Sequence, residues 1–170
     1  MTLPKGGENC LGVLLRDVLE ADLPILFEHQ NDPAAFLLAA FTPRDKIAFT
    51  EHWTKILADR TVAKKAILFD GRLVGNIVCF ERSGLRQVGY WIDRDYWGRG
   101  IATRALSRFL VHVTERPLYA LVAKHNAASI RVLEKCGFAI VGDSPECSDP
   151  RGPAVEEFTL KLGEGRGQET

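Results

Sequence analysis

Trp97-Gly98-Arg99-Gly100-Ile101-Ala102-Thr103 is the stretch on which the reading of this chain turns. A strand-like run, Val88-Gly89-Tyr90-Trp91-Ile92, precedes it. The helix-like run Gly98–Thr114 carries Ile101, Ala105, Leu106, Phe109, Leu110 and Val113 on one face. Two glycines and an alanine at such a junction leave backbone N–H groups uncovered at the positive end of a helix dipole, where a diphosphate can sit. A tight strand-to-helix turn would ask for the same glycines on conformational grounds alone. The stretch is not a P-loop, because the Gly-Lys-Ser/Thr ending is missing. Nor is it a dinucleotide fingerprint, since the third glycine is absent and the strand before it belongs to an antiparallel run.

Outward from this junction, Val62 to Phe69, Asp70-Gly71 and Leu73 to Phe80 read as a hairpin, followed after Ser83-Gly84 by a strand over Arg86–Ile92. Toward the N-terminus, Leu11–Arg16 reads as a first strand. Asp22 is placed to cap a helix over Leu23–Gln30, which ends near Asp32-Pro33. A second helix is expected over Pro43–Ala58, with Thr42 as its cap and the proline in its first turn. Beyond Pro117, Leu118–Ala123 is apolar throughout, as suits a strand buried on both faces. Ala127–Lys135 is a short helix between Asn126 and Gly137. Strands over Phe138–Val141 and Val155–Leu162 follow, separated by a loop over 142–153. The expected fold is α/β: a mixed, mostly antiparallel central sheet with helices on both faces, in a single domain with its core over 11–162 and a disordered tail over 163–170.

Composition narrows the function. Of 170 residues, Lys and Arg number 22 and Asp and Glu 22, for a formal net charge of +0. A chain without basic excess has no general electrostatic hold on nucleic acid, so an acidic ligand needs a local site. Cys10, Cys79, Cys136 and Cys147 are widely spaced, with no Cys-x-x-Cys and no His at ligand spacing, so no metal is expected. Cys79 and Cys136 fall in apolar runs and read as small core residues. No apolar run approaches a membrane span or a leader, which points to a cytoplasmic protein with no membrane partner.

Three ordered motifs then carry a resemblance. Gly89-Tyr90-Trp91-Ile92 comes first, and Tyr96-Trp97-Gly98-Arg99-Gly100-Ile101-Ala102-Thr103 second. The third is Asn126-Ala127-Ala128-Ser129-Ile130-Arg131-Val132-Leu133-Glu134-Lys135-Cys136-Gly137-Phe138. Together they resemble the GCN5-related N-acetyltransferase superfamily, and within it the ribosomal-protein alanine acetyltransferase branch, over about residues 11–162. The resemblance implies acetyl-CoA as cosubstrate. It puts the pyrophosphate on the amides from Gly98 to Thr103, with the family's Gln/Arg-x-x-Gly-x-Gly/Ala loop on Trp97, Gly98, Arg99, Gly100, Ile101 and Ala102. Trp97 departs from the usual Gln or Arg. The resemblance also implies that the N–H of Tyr90 faces the thioester carbonyl, that Ile92 and its neighbour Trp91 flank the pantetheine arm, and that Asn126 bonds the arm from the other side.

Acyl transfer needs donors aimed at the oxygen that gains charge, and a backbone amide on a strand is preorganised for this. It also needs an acid for the departing thiolate and a base for the amine. Many relatives place a Tyr where this chain has Leu133, so Ser129 becomes the candidate acid. Some place a Glu where this chain has Arg86, which leaves Glu81 and Glu156 as candidate bases, or a water chain. Arg131, Glu134 and Lys135 read as an outward helix face, and His125 is the one histidine near the expected site. Phe36, Phe41 and Trp53 come from the part of such a fold that shapes the acceptor pocket. The expected reaction is direct transfer to a primary amine, of a peptide or a small molecule, in a chain that can form a homodimer. Two other classes keep the same loop: a CoA-binding accessory module without turnover, and a protein that uses it for ATP.

Overall fold

The computed structural model describes residues 12–144, 149, 151–152 and 154–164. Expectations for Leu11, Cys10, Cys147 and the tail beyond Glu164 therefore lie outside the described residues. The strands are β1 (Val13–Arg16), β2 (Ala63–Phe69), β3 (Arg72–Arg82), β4 (Leu85–Ile92), β5 (Leu118–Ala123), β6 (Ala139–Asp143) and β7 (Glu157–Leu162). The helices are α1 (Leu23–Gln30), α2 (Pro33–Leu38), α3 (Lys46–Ala58), α4 (Ile101–His112) and α5 (Ala127–Lys135). One seven-stranded sheet runs in the order β1-β2-β3-β4-β5-β7-β6, and only β4 and β5 are parallel neighbours. The mixed, mostly antiparallel sheet is thus as expected. The β2–β3 turn shows why: Asp70 (φ 49°) and Gly71 (φ 79°) both take the left-handed angles that a tight hairpin requires.

Strand alternation sends successive β4 side chains to opposite faces. Val88, Tyr90 and Ile92 join the apolar cluster that holds Phe109, Leu106, Ile101 and Leu133 from α4 and α5. Leu26 of α1 and Phe49 and Trp53 of α3 pack with Ala66 on the other face. Helices therefore cover both faces. The centre of the arrangement is where β4 leaves β5: they pair at Gln87↔Tyr119 alone, and from Val88 to Ile92 the two strands are no longer joined.

Three local expectations are corrected. Asp22 does not cap α1. Its carboxylate is taken by a bidentate pair with Arg16 (2.6 and 2.8 Å) and by the Leu19 N–H (2.8 Å). Arg16 accordingly holds that carboxyl below the usual range. Helix α3 begins at Lys46 rather than Pro43, because Asp45 accepts from Ala48 N while Thr42 N donates to Asp149 instead. Finally, α2 was not expected. Asp32 caps it through Ala34 N (2.9 Å) and Ala35 N (3.3 Å), with Pro33 in the first turn. Six residues are too few for a helical period to show in the sequence.

Candidate active site

A cleft of about 360 Å³ opens where β4 and β5 separate. Its walls come from both sides of the sheet: Ala35, Leu38 and Ala39 at α2, and residues of α4 and α5 opposite. Tyr90, Trp91, Ile92, Trp97, Gly98, Gly100, Ile101, Ala102, Thr103, Asn126 and Ser129 all line it. Arg99 does not. Its guanidinium lies over the Tyr96 ring, 5.2 Å from the centroid, on the outer side of the loop.

Residues 97–103 take their shape from two glycines and one arginine. Gly98 (φ 76°) and Gly100 (φ 71°) are left-handed, which most residues adopt only with strain, and Gly100 stands at the N-cap of α4. Arg104 folds back, donating from Nη2 to Arg99 O at 2.9 Å and from Nε to Gly100 O at 3.3 Å. The loop's carbonyls are thereby turned to Arg104. The first helical donation is Arg104 N to Gly100 O, so the N–H groups of Ile101, Ala102 and Thr103 are the unpaired donors of the first turn. Trp97 donates Nε1–H to Ile92 O at 2.9 Å, which pins this loop to the end of β4.

On the opposite wall, Asn126 caps α5 by accepting from Ser129 N at 3.2 Å. The same turn brings Ser129 Oγ to 2.7 Å from the Tyr90 hydroxyl, which also lies 3.3 Å from the Ser129 carbonyl oxygen. Burial pushes the Tyr90 phenol up to about 12, with the Ser129 hydrogen bond opposing it. The two hydroxyls therefore form a neutral pair at ordinary pH. Their contact was not foreseen, although strand parity already sends Tyr90 and Trp91 to opposite faces. Trp91 donates Nε1–H to His29 O at 2.9 Å and packs edge-to-face with Phe41 at 5.5 Å between centroids.

The candidate bases stand elsewhere. Glu81 is opposite Arg86 in the β3–β4 ladder, four residues along β4 from Tyr90, or roughly 13 Å at strand rise. Glu156 is exposed, and its carboxylate lies 3.8 Å from Lys124 Nζ. Neither lines the cleft. His125 approaches Leu37 O at 3.4 Å and links the β5–α5 loop to α2. Arg131 and Lys135 do line the cleft, contrary to the outward face expected of them. They stand four residues apart on α5 and so share the face of the helix that borders the cleft. Among the described residues no three His, Cys, Asp or Glu side chains converge as a metal site, and no helix is long and apolar enough to cross a membrane.

Comparison with known proteins agrees with this architecture. The putative ribosomal N-acetyltransferase YdaF of Bacillus subtilis is 25% identical over 125 residues, covering 67% of this chain and 68% of the relative. The spermidine N-acetyltransferase of Vibrio cholerae, solved with CoA and spermine, superposes with a TM-score of 0.76 at 18% identity, over 89% of this chain and 95% of its own. An acetyltransferase of the GNAT family from Bacillus anthracis gives 0.75 at 18%, with the same coverage. At such identities the structural likeness is one of fold. The family described as "Acetyltransferase (GNAT) domain" matches residues 13–139, most of the chain, and to that family this protein belongs.

Proposed function

We propose that this protein transfers an acetyl group from acetyl-CoA directly to a primary amine, of a peptide or of a small molecule. One observation carries the reading: a single cleft brings the bare amides of the α4 N-terminus together with the Tyr90–Ser129 hydroxyl pair, at the point where β4 and β5 part. When bound, acetyl-CoA supplies the activated acyl group. The amides of 98–103 hold its pyrophosphate, since the left-handed glycines leave that surface without side chains. Arg131 and Lys135 add positive charge along the same wall.

The chain's own groups account for the remaining demands. The Tyr90 N–H is the donor for the carbonyl oxygen that gains charge, and Asn126, Trp91 and Ile92 flank the arm that leads to it. Either hydroxyl can donate across the 2.7 Å contact, and with Tyr90 as the donor the Ser129 proton is free to turn toward the departing sulfur. A phenol held near 12 is a weaker acid than an ordinary thiol, near ~8.5, so it keeps its proton as the thiolate leaves. The pair therefore stabilises sulfur by hydrogen bonding rather than by proton transfer. With Glu81 and Glu156 away from the cleft, the amine passes its proton to solvent water. Neither Cys nor Ser stands beside an activating His at the cleft, which favours direct attack over an acyl-enzyme.

The test measures thiol release from acetyl-CoA with a panel of peptides, polyamines and aminoglycosides, beside calorimetry of CoA. Heat on binding with steady thiol release is expected. Tight CoA binding with no release across the panel makes the chain a CoA-binding accessory module. ATP displacing CoA makes the loop a nucleotide site.

A further inference from the structure

On the α1–α3 side the cleft ends at Trp91, and behind Trp91 the chain builds a cationic wall that acyl transfer itself does not need. The Phe41 ring stands against Trp91 and carries two guanidinium groups, Arg44 at 5.7 Å and Arg151 at 5.9 Å from its centroid. The segments that hold them are tied together. Thr42 donates its hydroxyl to Arg151 O (3.1 Å), and Arg151 Nη2 donates to Thr42 O (3.1 Å). The counter-charge is Asp149, which is buried and already engaged: it accepts from Thr42 N (2.8 Å), Arg151 N (3.0 Å) and Arg151 Nε (3.3 Å).

Arg44 is different. It is half-buried, and among the described residues it makes no ion pair and no hydrogen bond, only its contact with Phe41. Burial and the charge of Arg151 lower its affinity for its own proton, and the charge of Asp149 opposes them only in part. His52 feels the same surroundings, for burial, then Arg44, then Arg151 drive its imidazole down to about 4 and keep it neutral. Two like charges on one aromatic ring, with Asp149 the one carboxylate beside them among the described residues and already bound to Arg151, leave an excess of positive charge beside the cleft. A guanidinium fork matches a carboxylate or a phosphate through two parallel hydrogen bonds, and an aromatic face supports its plane.

We propose that Arg44, assisted by Arg151, forms an anion subsite for the acceptor, so that this protein acetylates amines that also carry a carboxylate or phosphate group. The proposal rests on the acyl-transfer reading and names its substrate class. Trp91 is the bridge, lining the cleft and standing edge-to-face with Phe41. A polyamine entering the same way would bring positive charge against positive charge.

The test offers, at matched chain lengths, an ω-amino carboxylate, an ω-aminoalkyl phosphate, the methyl ester of the first and a diamine, and follows thiol release. The anionic amines are expected to exceed the ester in kcat/KM by about 10- to 100-fold, with the diamine poorest. Whichever anion gains more identifies the group recognised. Arg44→Gln collapses the gap between acid and ester, with the thermal midpoint as the control for folding. Equal turnover of acid and ester, or a gap that survives Arg44→Gln, overturns the subsite and leaves acyl transfer standing. Binding is read separately, by calorimetry of the N-acetylated amino carboxylate and phosphate into CoA-loaded protein. Heat that Arg44→Gln abolishes supports the subsite even if no acceptor turns over, and no heat from the wild type overturns it.

Discussion

Replacing Ser129 with Ala and Tyr90 with Phe, singly and together, probes the proposed chemistry at its centre. Ser129 Oγ and the Tyr90 hydroxyl are 2.7 Å apart, and only Ser129 is proposed to reach the sulfur. Removing a donor aimed at developing charge costs about 10²–10³-fold in kcat, so Ser129→Ala is expected in that range. Tyr90→Phe removes one buried hydrogen bond that acts through Ser129, a net loss of about 0.5–1.5 kcal/mol or roughly 2- to 10-fold. Because the phenol works only through the serine, the double variant is expected to be no slower than Ser129→Ala. The assay is thiol release at saturating acetyl-CoA and amine, with CoA affinity by calorimetry and thermal melting as controls. The pH dependence adds a second readout. A phenol pushed up to about 12 stays protonated across the usual assay range, so Tyr90→Phe removes no alkaline limb below about pH 10. For stability, the folded value lies above the unfolded one near ~10. The contribution is therefore complete below that pH and lost as pH rises toward about 12, a slope that Tyr90→Phe flattens. Losses that multiply in the double variant, or a Tyr90→Phe slower than Ser129→Ala, refute the argument, since the two groups would then act separately.

Gly75→Ala should destabilise the fold by about 3 kcal/mol or more in denaturant titration, because its Cβ would stand 2.0 Å from the Trp91 carbonyl oxygen. Gly100→Ala meets no atom but must adopt φ 71°, so a loss of about 1–2 kcal/mol in melting, with weakened CoA binding by calorimetry, is expected. Asn126→Ala removes the α5 cap, costing about 1 kcal/mol by thermal denaturation, and lowers kcat through misplacement of Ser129. His52, with a folded value lowered to about 4 from 6.5, stays neutral in the fold while the unfolded chain takes up its proton. Stability therefore falls as pH drops from about 6.5 to about 4, by up to about 3 kcal/mol, and His52→Gln should flatten that limb in pH-dependent unfolding.

Much of this was legible in one dimension because it is local chemistry. Asp70-Gly71 dictates its hairpin, since both residues tolerate positive φ where a tight turn demands it. Gly98 and Gly100 announce a bare helix start, and Asn126 a capped one, because a helix end must satisfy its amides from nearby residues. What stayed hidden depended on partners outside the local helix-start pattern, six residues away for Asp22 and 107 for Thr42. Asp22 and Thr42 carry the right chemistry for helix caps, yet Arg16 claims the first and Asp149 the second. The glycine at 75 reads as a weak spot in a strand until Trp91 is seen to press its carbonyl against it.

The candidate site divides in the same way. Sequence alone determined the strand–loop–helix junction, most of the lining around it though not Arg99, Arg131 or Lys135, and the element order apart from α2, since periodicity and turn chemistry act over a few neighbours. Tertiary structure alone decided that β4 and β5 part after one pair, that Tyr90 touches Ser129, and that Arg44 and Arg151 share the ring of Phe41. Arg44 stands three positions from Phe41, but Gln87 meets Tyr119 across 32, Tyr90 meets Ser129 across 39, and Arg151 reaches Phe41 across 110 (87 to 119, 90 to 129, 41 to 151). No local rule reaches so far. Packing across the sheet brings them together, and that Arg44 has no carboxylate partner among the described residues is visible only once the chain has closed.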